Sequence, residues 1–223
     1  MAENILKWIA LGDIHQSLSF VSIIPEIKKA DGVIITGDIT NHSPQGAVEK
    51  VWGVIHDQNP NILAQIGNMD RANVTDFLKS KEANLHLETR ELAKGIKIMG
   101  VGYSIPTPFG TPSEVSDEQL GQWLEETYAK IGDYDQLILA VHDSPYNTKL
   151  DVISNGQHVG SRSVRNFIEK VQPDIVVSGH IHESSGEDII GKSRIFNPGM
   201  ASGGGYVLIT LQDGKLEAAL KGN

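Results

Sequence analysis

Residues 7–15 read KWIALGDIH, and residues 174–182 read DIVVSGHIH. Each is a short apolar run, then glycine, then two metal-capable side chains separated by isoleucine. The same grammar recurs in GVIITGD at 32–38, ILAQIGNMD at 62–70 and, without the glycine, LILAVHD at 137–143. Such runs are too short for helices, and their continuous apolar character fits strands buried on both faces. Five strands therefore end in a polar residue able to hold a metal: Asp13, Asp38, Asn68, His142 and His180. Glycine introduces four of them, permitting a sharp turn and close backbone approach. In open α/β sheets ligands bind outside the carboxyl ends of strands. Residues distant in sequence can therefore converge there.

A further strand is expected at 96–101, and helices at 17–29, 44–58, 72–81, 116–131 and 161–171. Two helices carry start signals. Pro44 follows Ser43 as a first-turn proline after an N-cap, and Ser116 with Gln119 forms a capping box. The βαβα order predicts an α/β sheet, largely parallel in its first half. The end of the chain differs. Pieces at 193–197, 206–211 and 215–221 have no helix between them, and Asp213-Gly214 is a hairpin turn. They predict a second, antiparallel sheet. Two long loops, 103–115 with three prolines and 143–160, are candidates for shaping a substrate site.

The length of 223 residues fits one domain spanning 1–223. With 39% apolar and 21% charged residues the composition is that of a globular protein. There is no cysteine, which excludes disulfides, thiolate metal sites and a cysteine nucleophile. Any metal must sit on imidazole and oxygen ligands. The formal charge is −9, with Lys and Arg scattered rather than gathered in a basic face. That argues against nucleic acid as a partner. The start, MAENILKWIALGD, has neither a basic region nor a cleavage site, so no signal peptide is read there. No run approaches the roughly 20 apolar residues of a membrane span. A cytoplasmic location and no membrane partner are the expectations.

Side chains at i and i+2 of an extended segment point the same way. Asp13 and His15 can thus reach one centre. His180 and His182 can do likewise or divide between two adjacent centres, and Asp38 can bridge two cations through its two oxygens. In order, Asp-x-His, Gly-Asp, Gly-Asn-x-Asp, a lone His and Gly-His-x-His resemble the motif series of the calcineurin-like metallophosphoesterase superfamily. The resemblance runs from Asp13 to His182, with Asn197-Pro198-Gly199 like a turn that often follows. Gly179 to Glu183, Gly-His-Ile-His-Glu, is similar to the small prokaryotic phosphoesterases of that superfamily. It implies a two-sheet β-sandwich flanked by helices, a four-layer αββα arrangement. It also implies two divalent ions, Mn, Fe, Zn, Ni or similar. One would take Asp13, His15, Asp38 and His182; the other Asp38, Asn68, His142 and His180. A hydroxide bridging them would attack phosphorus in line. The substrate would be a small phosphoester, and the protein a phosphodiesterase or phosphatase.

One position departs from that pattern. Many members have histidine where this chain has Met69, there helping the leaving group depart. Methionine cannot donate a proton, and general acid help is worth about 10²–10⁴-fold. Weak action on alkyl esters is expected, with aryl esters less affected. His42, four residues past Asp38, and His158, in the loop after His142, are candidate substitutes. With Asp38, Asn68 and His142 they make up the catalytic candidates. His56 and His86 are read as structural. The departure also keeps open a metal-binding scaffold without turnover, as in a retromer subunit that resembles this superfamily. A nuclease is the other alternative, opposed by the acidic charge. The sequence leaves homo-oligomerisation open.

Overall fold

A computed structural model describes residues 5–43 and 46–222. It contains two mixed sheets packed face to face. The first holds β1 (Leu6–Leu11), β2 (Gly32–Ile35), β3 (Ile62–Ala64), β10 (Tyr206–Gln212) and β11 (Lys215–Lys221), in the order β11-β10-β1-β2-β3. The second holds β4 (Glu88–Ala93), β5 (Ile96–Val101), β6 (Gln136–Val141), β7 (Ile175–Val177), β8 (Gly186–Ile190) and β9 (Ser193–Asn197), in the order β4-β5-β6-β7-β9-β8. β1, β2 and β3 run parallel, as do β5, β6, β7 and β9.

The period of two along each strand builds the layers. In β1, Trp8 and Ala10 face the other sheet, where they join Ile34, Ile138, Phe196 and Val207 in the inter-sheet core. Ile9 and Leu11 face the opposite way and pack with Phe20, Val48, Val51 and Ile55 of the first helical layer. That layer contains α1 (Phe20–Ile23), α2 (Ala47–His56) and α3 (Ala72–Ser80). On the second sheet, Leu137 and Leu139 pack outward with Leu120 and Leu124 of α4 (Asp117–Tyr128) and Val164 and Phe167 of α5 (Arg162–Val171). The order is helix, sheet, sheet, helix, as expected.

Several expectations need correction. The strand-like pieces at the end do not form a separate antiparallel sheet. β10 and β11 extend the first sheet antiparallel to β1, whereas β9 joins the second sheet parallel to β7. The stretch 17–29 is not one helix. It breaks at Ile24 (φ −110°, ψ 78°) into α1 and a 3-10 turn, Pro25–Lys29, because proline disfavours helical backbone in the residue before it. β4 and β8 were unexpected; both are edge strands with sequences ETRELA and GEDII and partly solvated side chains. The Ser116 cap holds, its hydroxyl accepting from Gln119 N at 3.1 Å. The start at Pro44 lies outside the described residues; α2 is seen from Ala47, after Gly46. Among the described residues no helix is long and apolar enough to cross a membrane.

Candidate metal centre

Parallel strands that end at one level bring their following residues together. Asp13 follows β1, Asp38 follows β2, and Asn68 lies beyond β3. From the second sheet come His142 after β6 and His180 and His182 after β7. The ends of β1 and β2 are joined by backbone bonds from Asp13 N to Gly37 O (3.0 Å) and His15 N to Asp38 O (2.9 Å). These segments are not extended, contrary to the i, i+2 argument. Asp13, His15, Asp38 and His180 have φ of 50°, 48°, 52° and 70°. Left-handed backbone in non-glycine residues costs on the order of 1–3 kcal/mol each and gathers at functional sites. Gly67 is required by proximity: a Cβ there would collide with Asp38 Oδ1, Asp38 N and His142 Cε1.

The donor atoms converge. Nitrogen or oxygen atoms of Asp13, His15, Asp38 and His182 all lie within 4.8 Å of one another. His182 Nε2 is 3.1 Å from both Asp13 Oδ1 and His15 Nε2. His15 Nε2 stands 3.6 Å from Asp38 Oδ2, while Asp38 Oδ1 stands 3.5 Å from His142 Nε2. His142 Nε2 in turn is 2.9 Å from Asn68 Oδ1. Asp38 therefore turns one oxygen to each group. His180 lies on the second side, its ring centroid 5.2 Å from that of His142, and its backbone N–H donates to Asp13 at 3.1 and 3.2 Å.

Neighbours fix which nitrogen is free. Asn41 Nδ2 donates to His15 O (2.9 Å), which turns Asn41 Oδ1 towards His15 Nδ1 at 2.7 Å. An amide oxygen only accepts, so Nδ1 carries the proton and the Nε2 lone pair points at the cluster. His142 Nδ1 likewise faces Thr36 O at 3.2 Å. Its Nε2 lone pair then meets oxygens of Asp38 and Asn68. Lone pairs facing one another this closely need a proton or a cation between them. Two ligands bound at 2.0–2.1 Å in a tetrahedral shell stand about 3.4 Å apart, close to the spacings here. The donor set thus fits divalent metal ions, held by imidazole nitrogen, carboxylate and amide oxygen.

The electrostatics agree. Burial opposes protonation of His142, yet the charge and hydrogen bond of Asp38, with Asp13 and Asp143, raise it to about 9. Burial would raise Asp38, but His142, His15 and the Met69 N–H together hold it below the ordinary carboxylate range. Burial and the charge of His142 lower His180 to about 4. Against burial, the bond and charge from Asp13 raise His182.

A cleft of about 960 Å³ opens over these residues, lined by His15, Asp38, Asn68 and His182 and by parts of both long loops. His42 and Met69 also line it, joined by a bond from His42 N to Met69 O at 2.8 Å. His158 is not brought to the cluster. Its Nδ1 lies 2.8 Å from Asp151 Oδ1 and its ring rests edge-on to Tyr146.

Of three supports, the sequence singles out only Asp70, as a cap of the following helix or an orienter of Asn68; Thr111 and Asn41 are not singled out. Thr111 Oγ1 accepts from Asn68 Nδ2 (2.9 Å) and donates to Glu114 (2.5 Å), so the Asn68 carboxamide presents its oxygen to His142. Asn41 fixes His15 as described. Asp70 neither caps α3 nor bonds the Asn68 side chain; it accepts from Ile39 N, Thr40 N, Thr40 Oγ1 and Gly67 N at 2.7–3.0 Å. Burial and the charge of Asp38 push it up to about 6. Its place as the last residue of the Gly-Asn-x-Asp motif was the signal for Asp70.

The family model described as calcineurin-like phosphoesterase matches residues 6–184. An uncharacterized protein of Methanocaldococcus jannaschii is 31% identical over 198 residues, 86% of this chain and 88% of that one. Among solved structures, a Thermus thermophilus protein is similar with TM-score 0.68 at 18% identity, over 97% of this chain and 99% of that one. A dimetal phosphatase from Danio rerio matches with TM-score 0.58 at 9% identity, over 96% and 98%. The anchor in the inner membrane complex of Plasmodium matches with TM-score 0.65 at 13% identity, over 98% and 86%. At these identities the structures share the fold.

Proposed function

Because the chain belongs to the calcineurin-like phosphoesterase family, we propose that it hydrolyses small phosphoesters at a pair of divalent ions. One ion would be held by Asp13, His15, Asp38 and His182, the other by Asp38, Asn68, His142 and His180. The observation that carries this reading is the placement of Asp38, with Oδ2 3.6 Å from His15 Nε2 and Oδ1 3.5 Å from His142 Nε2. A carboxylate so placed can serve both centres. Bound ions would lower the pKa of water and neutralise phosphate oxygens. The chain's part is orientation. Asn41 and Thr36 keep His15 and His142 in the tautomer that offers Nε2, and Thr111 turns the Asn68 oxygen inward. His42 is the protonatable side chain placed beside Met69, and we assign it any proton delivered to the leaving group.

The test is metal content of the purified protein together with turnover of bis-nitrophenyl phosphate, with and without Mn²⁺. Asp38→Asn should lose metal and reduce turnover by more than about 10²-fold, the upper cost of disturbing groups merely supporting a ligand. Undiminished turnover in that variant would sink the proposal. The absence of histidine at Met69 favours one second reading, an interaction scaffold of the same fold. Metal-loaded protein inert towards every activated ester would support it. A nuclease is the weaker alternative, since no Lys or Arg is among the described residues lining the cleft and phosphate backbones are bound largely through them.

A further inference from the structure

We propose that the cleft selects a monoanionic phosphodiester bearing an aromatic ester group, seated on an apolar wall made by Ile105, Pro106, Pro108 and Phe109. This rests on the phosphoesterase reading above. All four residues line the cleft that also contains His15, Asp38 and His182, so a group on the wall is continuous with the candidate metal site. Phe109 is 85% exposed, and with exposed Pro106 and Pro108 and half-buried Ile105 it forms an apolar patch on one cleft, the kind of surface that marks ligand-binding grooves. The wall is held in place. Ile105 N donates to Asp143 Oδ2 at 2.8 Å, and Glu114 Oε1 accepts from Thr107 Oγ1 (2.6 Å), Thr111 Oγ1 (2.5 Å) and Thr111 N (2.8 Å). Thr111 is tied to Asn68 itself. A surface fixed beforehand loses little freedom when a ring settles on it.

Charge sets the other half of the selection. No lysine or arginine is among the described residues lining the cleft, which instead presents Glu183 beyond the candidate ligands. Further negative charges on a substrate would meet no lysine or arginine away from the ions. A diester carries one. Leaving-group chemistry points the same way. Met69 has no proton to give, and an aryl oxide departs without one more readily than an alkoxide. In the hydrolysis, water oxygen bonds to phosphorus and the P–O(aryl) bond breaks. The aryl oxide takes the electron pair, and the protons of water pass to solvent or to the departing oxide.

The test is calorimetric binding of two monoanions that cannot be hydrolysed, diphenylphosphinate and dimethylphosphinate, to Mn²⁺-loaded protein. Diphenylphosphinate should bind about tenfold more tightly, equivalent to ~1.4 kcal/mol, and Phe109→Ala should close most of that gap. Equal affinities, or a gap unchanged in Phe109→Ala, would overturn the apolar wall while leaving metal-dependent phosphoester binding intact. Failure of both phosphinates to bind the metal-loaded protein would overturn both readings.

Discussion

His42 and His158 are both near the cleft in sequence terms, but their side chains have different freedom. His42 is exposed on the cleft lining, its backbone tied to Met69. His158 is engaged by Asp151, a buried carboxylate that also accepts from Asn147 N, Thr148 N and Gly160 N. His42→Ala should therefore slow alkyl phosphoesters selectively, by up to about 10²-fold, with nitrophenyl esters little changed. His158→Ala should show no such selectivity and cost about 1 kcal/mol of stability. Rates of the two variants on matched alkyl and aryl esters decide; equal slowing of both esters by His42→Ala rules out the proton role. His86 offers a pH prediction away from the site. Burial, and then the charge of Lys79, lower it from 6.5 to about 4. Its Nδ1 accepts from Gly102 N at 3.0 Å, a bond that protonation destroys. The unfolded chain takes up this proton first, so the contribution is fully present above pH ~6.5. On the order of 3 kcal/mol is lost as pH falls to about 4. Urea midpoints of wild type and His86→Gln, compared at pH 7 and 4.5, should differ in their pH slope. Parallel slopes would refute it.

At the scale of elements, the site depends on two strand ends staying in register. Asp70, beyond β3, bonds Ile39 and Thr40 beyond β2 and Gly67 in its own turn. It clamps the loop that carries Asp38 to the loop that carries Asn68. Asp70→Asn replaces one acceptor oxygen with a donor facing N–H groups. It should destabilise the fold by roughly 1–3 kcal/mol and weaken metal binding by 10–100-fold, as supporting groups do. Metal titration against denaturant midpoints would expose a purely global effect, because stability would then fall without loss of affinity in the folded protein. This element-level support also marks what the sequence could reveal. The five strand ends were legible because each apolar run stops at glycine or directly at a polar ligand type, and that pattern is local. The clamp, the Thr111–Glu114 tie and the Asn41 bond were not, since each joins loops whose conformation has no period. The edge strands β4 and β8 escaped for a related reason: half-solvated residues such as Glu88, Arg90 and Asp188 lack the apolar run that betrays a buried strand.

At the scale of the whole molecule, the donors are divided between the two sheets. Asp13, Asp38 and Asn68 hang from the first; His142, His180 and His182 hang from the second. The topology that achieves this was only partly readable. Nothing in residues 193–221 says that β9 will pass to β7 while β10 crosses back to β1, because both steps depend on which sheet edge is free. The division has a consequence for stability. An ion bound by both sheets binds the native state and not the unfolded chain, so its binding energy adds to folding. At 100 times the dissociation constant the gain is ~2.7 kcal/mol, which for a chain of this length raises Tm by roughly 5–10 °C. Mn²⁺ should produce that rise, EDTA should reverse it, and Asp38→Asn should lose most of it, since Asp38 faces both groups of donors. Far-UV and near-UV signals should move together, because separating the sheets opens the site. A Tm indifferent to saturating Mn²⁺, or a full shift retained in Asp38→Asn, would mean that the convergence of donors at the strand ends does not hold metal.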